Sequence, residues 1–251
     1  MNFDTAFDFT AKAALVTGGA AGIGAAIAQA FADRGAKVAV IDLSPAALDT
    51  ARALPNGGHC ARVADITQPG EADRAVAETV GTLGRIDILV NNAGVARLDR
   101  AEAVTDDDWN LTMAVNLHVP FLMARAAFPA LRDADAGQIV NLASQAAFVA
   151  LDRHLAYCTS KAGLLGMTKV LALEWAVHGI TVNAISPTVV ETELGRKAWA
   201  GEVGEAMKRK IPVGRFAQPD EVALAALFLA SGGASMITGA NLVIDGGYTI
   251  Q

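Results

Sequence analysis

The chain has 251 residues, of which 53% are hydrophobic and 18% are charged, and 26 acidic against 20 basic side chains give a formal net charge of −6. This length and apolar content allow one compact domain with a sizeable core, and the acidic excess argues against nucleic acid or an anionic membrane as a partner. Two cysteines, Cys60 and Cys158, are too few for a disulfide framework and lack metal-type spacing, so we expect a protein of the reducing cytoplasm.

Short apolar runs typical of strands alternate with longer helical patterns along the chain. The strand-like runs are AALVTGG, KVAVID, CARVADI, IDILVNNAG, GQIVNLAS, GITVNAIS and ANLVIDGG. Most of them lack strict alternation of apolar and polar residues, which indicates burial on both faces, as in a parallel sheet covered by helices. We therefore predict a doubly wound α/β fold with a seven-stranded parallel sheet, in a single domain spanning residues 1–251.

The first run opens a stretch, residues 13–32, that has no formal charge and could cross a bilayer by its length alone. Alanine and glycine dominate it, and four glycines cluster near its middle, so a strand, a tight turn and a helix are predicted instead. The N-terminal residues also lack the basic segment of a secretory signal. We expect no association with a membrane.

The turn after the first strand reads TGGAAGIG, residues 17–24, and it precedes a helical pattern. Such a turn can place backbone N–H groups and a helix N-terminus against a pyrophosphate, although its spacing only loosely meets the dinucleotide motif and a turn alone also needs glycine. Asp42 ends the second strand 18 residues after Gly24, where a carboxylate can bind both ribose hydroxyls. No Arg or Lys stands at position 19, 20 or 43 to compensate the charge of a 2′-phosphate, so NAD is favoured over NADP. Alternatively, Asp42 only caps the next helix, a role that Ser44 could fill equally well.

Tyr157 and Lys161 are four residues apart in LAYCTSKAGLLG, which places them on the same face of a helix. A lysine ammonium near a phenol can lower the tyrosine pKa toward the value that a base for an alcohol requires, provided that the pair is partly desolvated. The alternative is a buried tyrosine with a solvated lysine. Ser144 and the NNAG run, residues 91–94, favour the first interpretation because each ends a strand at the edge where open α/β sheets bind ligands.

Residues 188–212 form a long polar segment after the sixth predicted strand, and segments of this length in compact domains are often lids. Ser144 lies in LASQA, without the strained elbow of serine hydrolases, which argues against that chemistry. The histidines show no ligand spacing, so no catalytic metal is expected.

Taken together, TGGAAGIG, Asp42, Asp65, NNAG, Asn116, Ser144, AYCTSK and the final IDGG resemble the short-chain dehydrogenase/reductase family over essentially the whole chain. The resemblance implies a Rossmann-type fold, a homotetramer and hydride transfer between an alcohol and a nicotinamide cofactor. It implies a catalytic tetrad of Asn116, Ser144, Tyr157 and Lys161. The cofactor residues that it implies are Gly18, Gly22, Ile23, Gly24, Asp42, Asp65, Ile66, Asn92, Ala93, Gly94, Tyr157, Lys161, Pro187, Val190 and Thr192. The family usually has Pro-Gly where this chain has Pro187-Thr188.

Within that family, the segments around Ser144, residues 149–163, the predicted lid and the C-terminal DGGYTIQ are similar to sugar-alcohol dehydrogenases. This likeness implies a small polyol or ketose as substrate, with oxidation of D-threitol to D-erythrulose as the first expectation. The substrate contacts expected are Ser144, Gln145, His154, Tyr157, Val189 and Trp199. Two alternatives stay open, a 3-oxoacyl carrier-protein reductase that would use Lys208 to Lys210 to meet an acidic partner and a catalytically silent protein that senses NAD.

Overall fold

The computed structural model describes residues 7–250, apart from the side chains of Leu194 and Ala198. Residues 1–6 and 251, which the predicted domain includes, lie outside the described part. Seven strands make up one sheet. They are β1 (Ala13–Thr17), β2 (Lys37–Asp42), β3 (Cys60–Val63), β4 (Ile88–Asn91), β5 (Gln138–Leu142), β6 (Thr181–Pro187) and β7 (Asn241–Ile244).

The strands lie in the order β3-β2-β1-β4-β5-β6-β7, and every neighbouring pair is parallel. Every residue of β1, β4 and β5 is buried, whereas the edge strands β3 and β7 are partly open. Central strands covered on both faces explain why their sequences are apolar without alternation. The predicted seven-stranded, doubly wound parallel sheet is confirmed.

Helices cover both faces of the sheet. They are α1 (Gly22–Asp33), α2 (Ala46–Ala53), α3 (Glu71–Leu83), α4 (Asp106–Met113), α5 (Val119–Asp133), α6 (Leu155–Trp175), α7 (Glu193–Ala198), α8 (Glu202–Lys208) and α9 (Pro219–Leu229). One core lies on the side of α1 and α9 and includes Ile27 and Phe31. The other lies on the side of α3, α5 and α6 and includes Met123 and Leu131.

The apolar stretch at residues 13–32 folds as β1, a turn and α1, as its glycines predict. Among residues 7–250, one helical stretch, Asp106–Asp133, is long and apolar enough to cross a membrane, with a mean hydropathy of 1.3 in its most apolar window. Core helices of globular proteins pass the same test of length and composition. This stretch comprises α4, one π-helical turn (Ala114–His118) and α5, and side chains such as Met123 and Leu131 pack into the core.

The chain moves outward from β1 to β3 and then returns to place β4 on the other side of β1. A crevice therefore opens between the loops that follow β1 and β4, at the carboxyl edge of the sheet, where open α/β folds bind ligands. The segments that follow β5 and β6 continue along the same edge. Most of the predicted site residues come from the segments that follow β1 to β6, from the π-helical turn and from the first turns of α6.

Candidate active site

The glycine turn between β1 and α1 depends on glycine at two positions for different reasons. Gly18 has a φ of +64°, and a Cβ there would lie 2.8 Å from the Ala93 Cα. At Gly24, a Cβ would lie 2.1 Å from the Gly18 carbonyl oxygen and 2.5 Å from Asn92 Nδ2. A side chain at either position would block the close approach of the turn, the β4 loop and the start of α1. The turn thus presents bare backbone and a helix N-terminus to the crevice.

Gly22, with a φ of +57°, lies next to the lid segment, because a Cβ there would come within 3.1 Å of Thr192 Cγ2. Thr192 caps α7, with its hydroxyl accepting a hydrogen bond from the Gly195 N–H at 2.9 Å. Val190 is buried in the α1 and α9 core and pairs with Ala217. The structure therefore brings the predicted residues Thr192 and Gly22 together, across the phosphate-type turn.

Asp42 ends β2 beside the glycine turn. Its Oδ2 accepts a hydrogen bond from the Ala20 N–H at 3.0 Å, and its Oδ1 accepts one from the Ser44 N–H at 2.9 Å. The carboxylate is thus compatible with both interpretations of the sequence. It makes local bonds that tie the turn to β2, as a cap would, and it keeps lone pairs that can accept from the hydroxyl groups of a ribose. The adjacent Leu43 is largely exposed and brings no positive charge.

Asp65 and Ile66 follow β3. The Asp65 carboxylate accepts hydrogen bonds from the Thr67 N–H, the Thr67 hydroxyl and the Gln68 amide, and these bonds hold the pKa of Asp65 below its usual value. Ile66 is buried against the α3 side of the sheet. Asp65 lies in a turn before α3, and the preceding residue connects to the end of β2, because the Ala64 N–H donates to the Asp42 carbonyl at 2.8 Å.

Thr17 fixes the NNAG run, although the sequence did not single it out. Its hydroxyl oxygen accepts hydrogen bonds from the N–H groups of Asn92 and Ala93 at 3.1 and 3.2 Å. The Asn92 side chain in turn donates to the carbonyls of Thr17 and Gly18. These bonds join the ends of β1 and β4. The walls of the crevice are therefore rigid, and the signal for Thr17 was only its place as the last residue of β1.

Asn116 lies in the π-helical turn and is fully buried. Its Oδ1 accepts from the Val95 N–H at 2.8 Å, and its Nδ2 donates to the Val95 carbonyl at 2.8 Å and to Ser160 Oγ at 3.1 Å. Ser160 donates in turn to the Tyr157 carbonyl. Asn116 therefore ties the loop after β4 to the first turns of α6. Such widened turns often occur at functional sites, and neither the π turn nor the role of Ser160 could be read from the sequence.

Ser144 and Tyr157 meet at the carboxyl edge of β5. The Ser144 Oγ accepts a hydrogen bond from the Ala146 N–H at 3.1 Å, and the Ser144 hydroxyl lies near the Tyr157 phenol. Burial raises the pKa of Tyr157 above its usual value, and the nearby Ser144 hydroxyl opposes that rise only in part. The phenol is therefore neutral at physiological pH, so in this state it can donate a proton.

Lys161 is buried one helical turn after Tyr157. Its Nζ donates to the Leu142 carbonyl at 2.7 Å and lies 5.8 Å from the centre of the Tyr157 ring. Burial lowers the pKa of Lys161 to about 8. The expected lowering of the Tyr157 pKa by Lys161 is not found. The pKa of Tyr157 is raised instead, because desolvation of the phenol dominates and the Lys161 ammonium donates to a carbonyl oxygen.

Gly94 brings the backbone of the β4 loop against this pair. A Cβ at that position would lie 3.4 Å from Asn116 Oδ1 and 3.6 Å from Lys161 Nζ. The four predicted catalytic side chains therefore lie around one point, reached from the loops of β4 and β5. A proton donor, a second hydroxyl and a buried cation around an open backbone are suited to proton transfer with an alcohol or ketone.

The predicted substrate residues have different surroundings. The His154 ring lies 6.1 Å from the Tyr157 ring, edge to face, and Gln145 is buried directly after Ser144. Val189 and Trp199 instead pack in a small cluster with Met207, Ile211 and Phe216, which fastens the predicted lid. Pro187 ends β6 in register with Ile244. Val189 and Trp199 thus pack within the segment predicted to be a lid, and their contact with substrate stays a prediction.

The geometry fits a dinucleotide with a nicotinamide end. The crevice offers the backbone of the glycine turn at the N-terminus of α1, a carboxylate at Asp42 for a ribose, and a buried ammonium at Lys161 one helical turn after Tyr157. Gly94 keeps the space between these ends free of a side chain. The donors and acceptors follow the edge of the sheet from β2 to α6.

Comparison with known proteins gives matches over the whole chain. A family model described as enoyl-(acyl carrier protein) reductase matches residues 18–249. The chain is 52% identical to a D-threitol dehydrogenase of Mycolicibacterium smegmatis over 254 residues, covering 100% of this chain and 98% of that protein. It is 51% identical to an NAD-dependent glycerol dehydrogenase of Listeria innocua, covering 99% and 98%.

Among solved structures, a short-chain type dehydrogenase/reductase from Mycobacterium marinum matches with a TM-score of 0.92 and 35% identity, covering 100% of both chains. The chain is therefore a member of the short-chain dehydrogenase/reductase family.

Proposed function

We propose that this protein oxidises a small sugar alcohol to a ketose, reversibly, with NAD as hydride acceptor. The observation that carries the proposal is the convergence of Ser144, Tyr157 and Lys161 beside Gly94, at the end of a crevice that begins at Asp42. The relatives about 50% identical to this chain are named for oxidation of D-threitol and of glycerol, and both are small polyols. D-threitol, giving D-erythrulose, is the first substrate that we propose.

The side chains divide the chemistry between them. The Ser144 hydroxyl binds the substrate oxygen, and the Tyr157 phenolate accepts its proton as the carbinol carbon loses a hydride. A nicotinamide cofactor held in the crevice would supply the acceptor for that hydride. In the reverse direction the neutral phenol donates the proton, which is the state that burial favours in the unliganded protein. The Lys161 ammonium favours negative charge near the phenol, and Asn116 keeps the β4 loop in place beside it.

The choice of NAD rests on Asp42. A second ester group on the ribose 2′-oxygen would place phosphate charge beside this carboxylate, and the largely exposed Leu43 offers no compensating cation. Two unit charges of like sign about 4 Å apart repel by ~1 kcal/mol in water and by ~4 kcal/mol at an effective dielectric of about 20. A 2′-phosphate carries almost two negative charges, so the repulsion is at least ~2 kcal/mol, and a preference of about 30-fold or more for NAD follows.

A substrate and cofactor panel tests the proposal. Initial rates with D-threitol, glycerol and D-erythrulose are compared with those for an acetoacetyl thioester, each with both cofactors. We expect turnover of a polyol with NAD. Turnover of the thioester alone, with NADPH, would instead identify a 3-oxoacyl carrier-protein reductase. Of the basic run proposed for that alternative, Lys208 already pairs with Glu205 at 2.9 Å, which weakens the case for it.

Tyr157→Phe separates an enzyme from a protein that only senses NAD. Removal of the proton acceptor lowers kcat by about 10²- to 10⁴-fold, while the affinity for NAD, measured by calorimetry, stays within about threefold. Tyr248→Phe is the matched control, because Tyr248 is the only other tyrosine and lies in a turn near the C-terminus. Unchanged turnover in Tyr157→Phe would contradict the proposed chemistry.

We further propose that the protein is a homotetramer whose residues 188–212 act as a lid. Apolar side chains along α4 and α5, including Leu111 and Phe121, remain partly exposed, and a groove of about 400 Å³ is lined there by Met113, Ala114, Leu117, His118, Phe121 and Met167. A second copy would cover this surface. A monomeric mass by light scattering at micromolar concentration would count against the assembly.

A further inference from the structure

Two buried polar atoms next to the reaction centre have no hydrogen-bond partner. Gln145 is 2% exposed and Thr188 is 7% exposed, and neither Gln145 Oε1 nor Thr188 Oγ1 has a partner among the residues that the structure describes. A buried polar group without a partner costs about 1–3 kcal/mol. Such atoms therefore indicate a place where something else supplies the hydrogen bond.

Gln145 and Thr188 lie at equivalent positions just beyond the carboxyl ends of two neighbouring strands, β5 and β6. Leu142 of β5 pairs with Ile185 of β6, and the Ala143 N–H donates to the Ile185 carbonyl, which continues the register one step further. Gln145 and Thr188 each stand three residues beyond that last pair. The 3₁₀ turn that begins at Gln145 also packs against β6. The two unpartnered atoms therefore flank the ends of neighbouring strands.

This level is also the level of the reacting groups. Gln145 directly follows Ser144, whose hydroxyl lies near the Tyr157 phenol. Thr188 is held by its N–H, which donates to the Ile244 carbonyl at 2.9 Å, and it stands where β6 passes into the proposed lid. Gln145 and Thr188 therefore lie on the two strand ends next to the serine that is proposed to bind the substrate oxygen.

We infer that Gln145 and Thr188 bind the hydroxyl group on the carbon next to the one that is oxidised, and so select vicinal diols over simple secondary alcohols. This inference rests on the proposed oxidation of a polyol and names the group that distinguishes the substrate class. The substrate hydroxyl donates to Gln145 Oε1 and accepts from the Thr188 hydroxyl, which gives each buried atom its partner. An alcohol without that hydroxyl leaves both atoms unpartnered, and a site of this kind rejects such analogues.

The test compares a diol with an alcohol of the same length, D-threitol against butan-2-ol, in Thr188→Val, Thr188→Ser and Gln145→Met. We expect kcat/KM for the diol to fall about tenfold in Thr188→Val and in Gln145→Met, with little change for butan-2-ol and with recovery in Thr188→Ser. Thr79→Val is the matched control, since Thr79 is equally buried but its hydroxyl bonds to the Ala75 carbonyl inside α3. An equal loss for both alcohols, or no loss for either, would overturn the inference.

A stability measurement gives a second, independent readout. Because Val fills the same space without a hydroxyl, Thr188→Val should leave the melting temperature of the protein without ligands unchanged or raise it. The same substitution should reduce the additional stabilisation that D-threitol gives in the presence of NADH, as a tenfold weaker affinity requires. If the wild-type protein oxidises neither alcohol, the proposed function fails. The inference is then decided by this thermal shift, and a shift that is absent in the wild type or unchanged in Thr188→Val refutes it.

Discussion

Replacement of Lys161 by methionine should abolish turnover and yet stabilise the unliganded protein at neutral pH. Lys161 is 4% exposed, and burial lowers its pKa from 10.5 to about 8. A shift of this size means that the folded protein disfavours the charged form by about 3 kcal/mol at pH 7. Methionine has a similar length and no charge, so the variant avoids that cost.

The gain is offset by one lost hydrogen bond. Lys161 Nζ donates to the Leu142 carbonyl at 2.7 Å, and this carbonyl loses its charged partner in Lys161→Met, at a cost of about 1–2 kcal/mol. A net gain of about 1–2 kcal/mol at pH 7 remains. Replacement of buried charged groups by apolar side chains of similar volume is often stabilising for this reason.

The dependence on pH identifies the cause. Below pH 8 the folded and unfolded lysine are both charged, so the whole cost is present. Between about pH 8 and 10.5 the unfolded chain binds more protons than the folded one, so wild-type stability rises with pH over this window. The advantage of Lys161→Met should therefore shrink by about 2 kcal/mol between pH 7 and about pH 9.5.

Urea unfolding of the two proteins at both pH values, at one protein concentration, measures the difference. Lys169→Met is the control, because Lys169 lies on the same helix but is exposed, so its replacement should change stability by less than about 0.5 kcal/mol. An advantage of Lys161→Met that does not change with pH, or a loss of stability at pH 7, would refute the argument that burial of the ammonium sets its pKa.

Three further predictions concern the cofactor crevice and the phenol. Asp42→Asn should raise the ratio of kcat/KM for NADP to that for NAD by about 30-fold or more, since repulsion of a 2′-phosphate dianion is worth ~2 kcal/mol even in water. The control Asp49→Asn, at an exposed carboxylate, should leave the ratio unchanged. Gly24→Ala should lower stability by about 1–3 kcal/mol and abolish NAD binding, because its Cβ meets the Gly18 carbonyl, while Gly81→Ala in open space on α3 should stabilise by about 0.5–1 kcal/mol. With the pKa of Tyr157 raised, kcat/KM for alcohol oxidation should rise across the alkaline range while that for ketone reduction stays constant from neutral pH upward, and the opposite profile would contradict the assigned proton transfer.

The fold was predictable because the sequence pattern of a buried parallel strand does not depend on which apolar residues pack where. A strand buried on both faces needs only a run of apolar residues, and β1, β4 and β5 show that pattern plainly. The short helix α2 buries only Ala47 and Ala51, so it offered little periodicity to recognise. The meeting of Ser144 and Tyr157 could also be expected, because strand ends in a parallel sheet share one edge.

The electrostatics of the site could not be predicted in the same way. The sequence places Lys161 one turn from Tyr157, but the direction of the tyrosine pKa depends on whether the ammonium or the loss of water dominates. That balance depends on the position of the ammonium relative to the phenol to within a few ångströms, and here the Lys161 ammonium donates to the Leu142 carbonyl. The unpartnered atom of Thr188 is likewise a matter of distances, and the sequence shows only a Thr after Pro187.

The groups in the site that lower the stability of the fold lie along one edge of the sheet. Among the described residues, four buried side-chain atoms lack a partner, and three of them, on Asn91, Gln145 and Thr188, stand at the carboxyl ends of β4, β5 and β6. Lys161, with its lowered pKa, lies at the same edge. The opposite ends of these strands contain no such groups within the described part of the chain, so the free energy given up during folding is local. Ligands that satisfy these atoms recover it, and binding at this edge therefore stabilises the protein beyond what the apolar area buried by the ligand would supply.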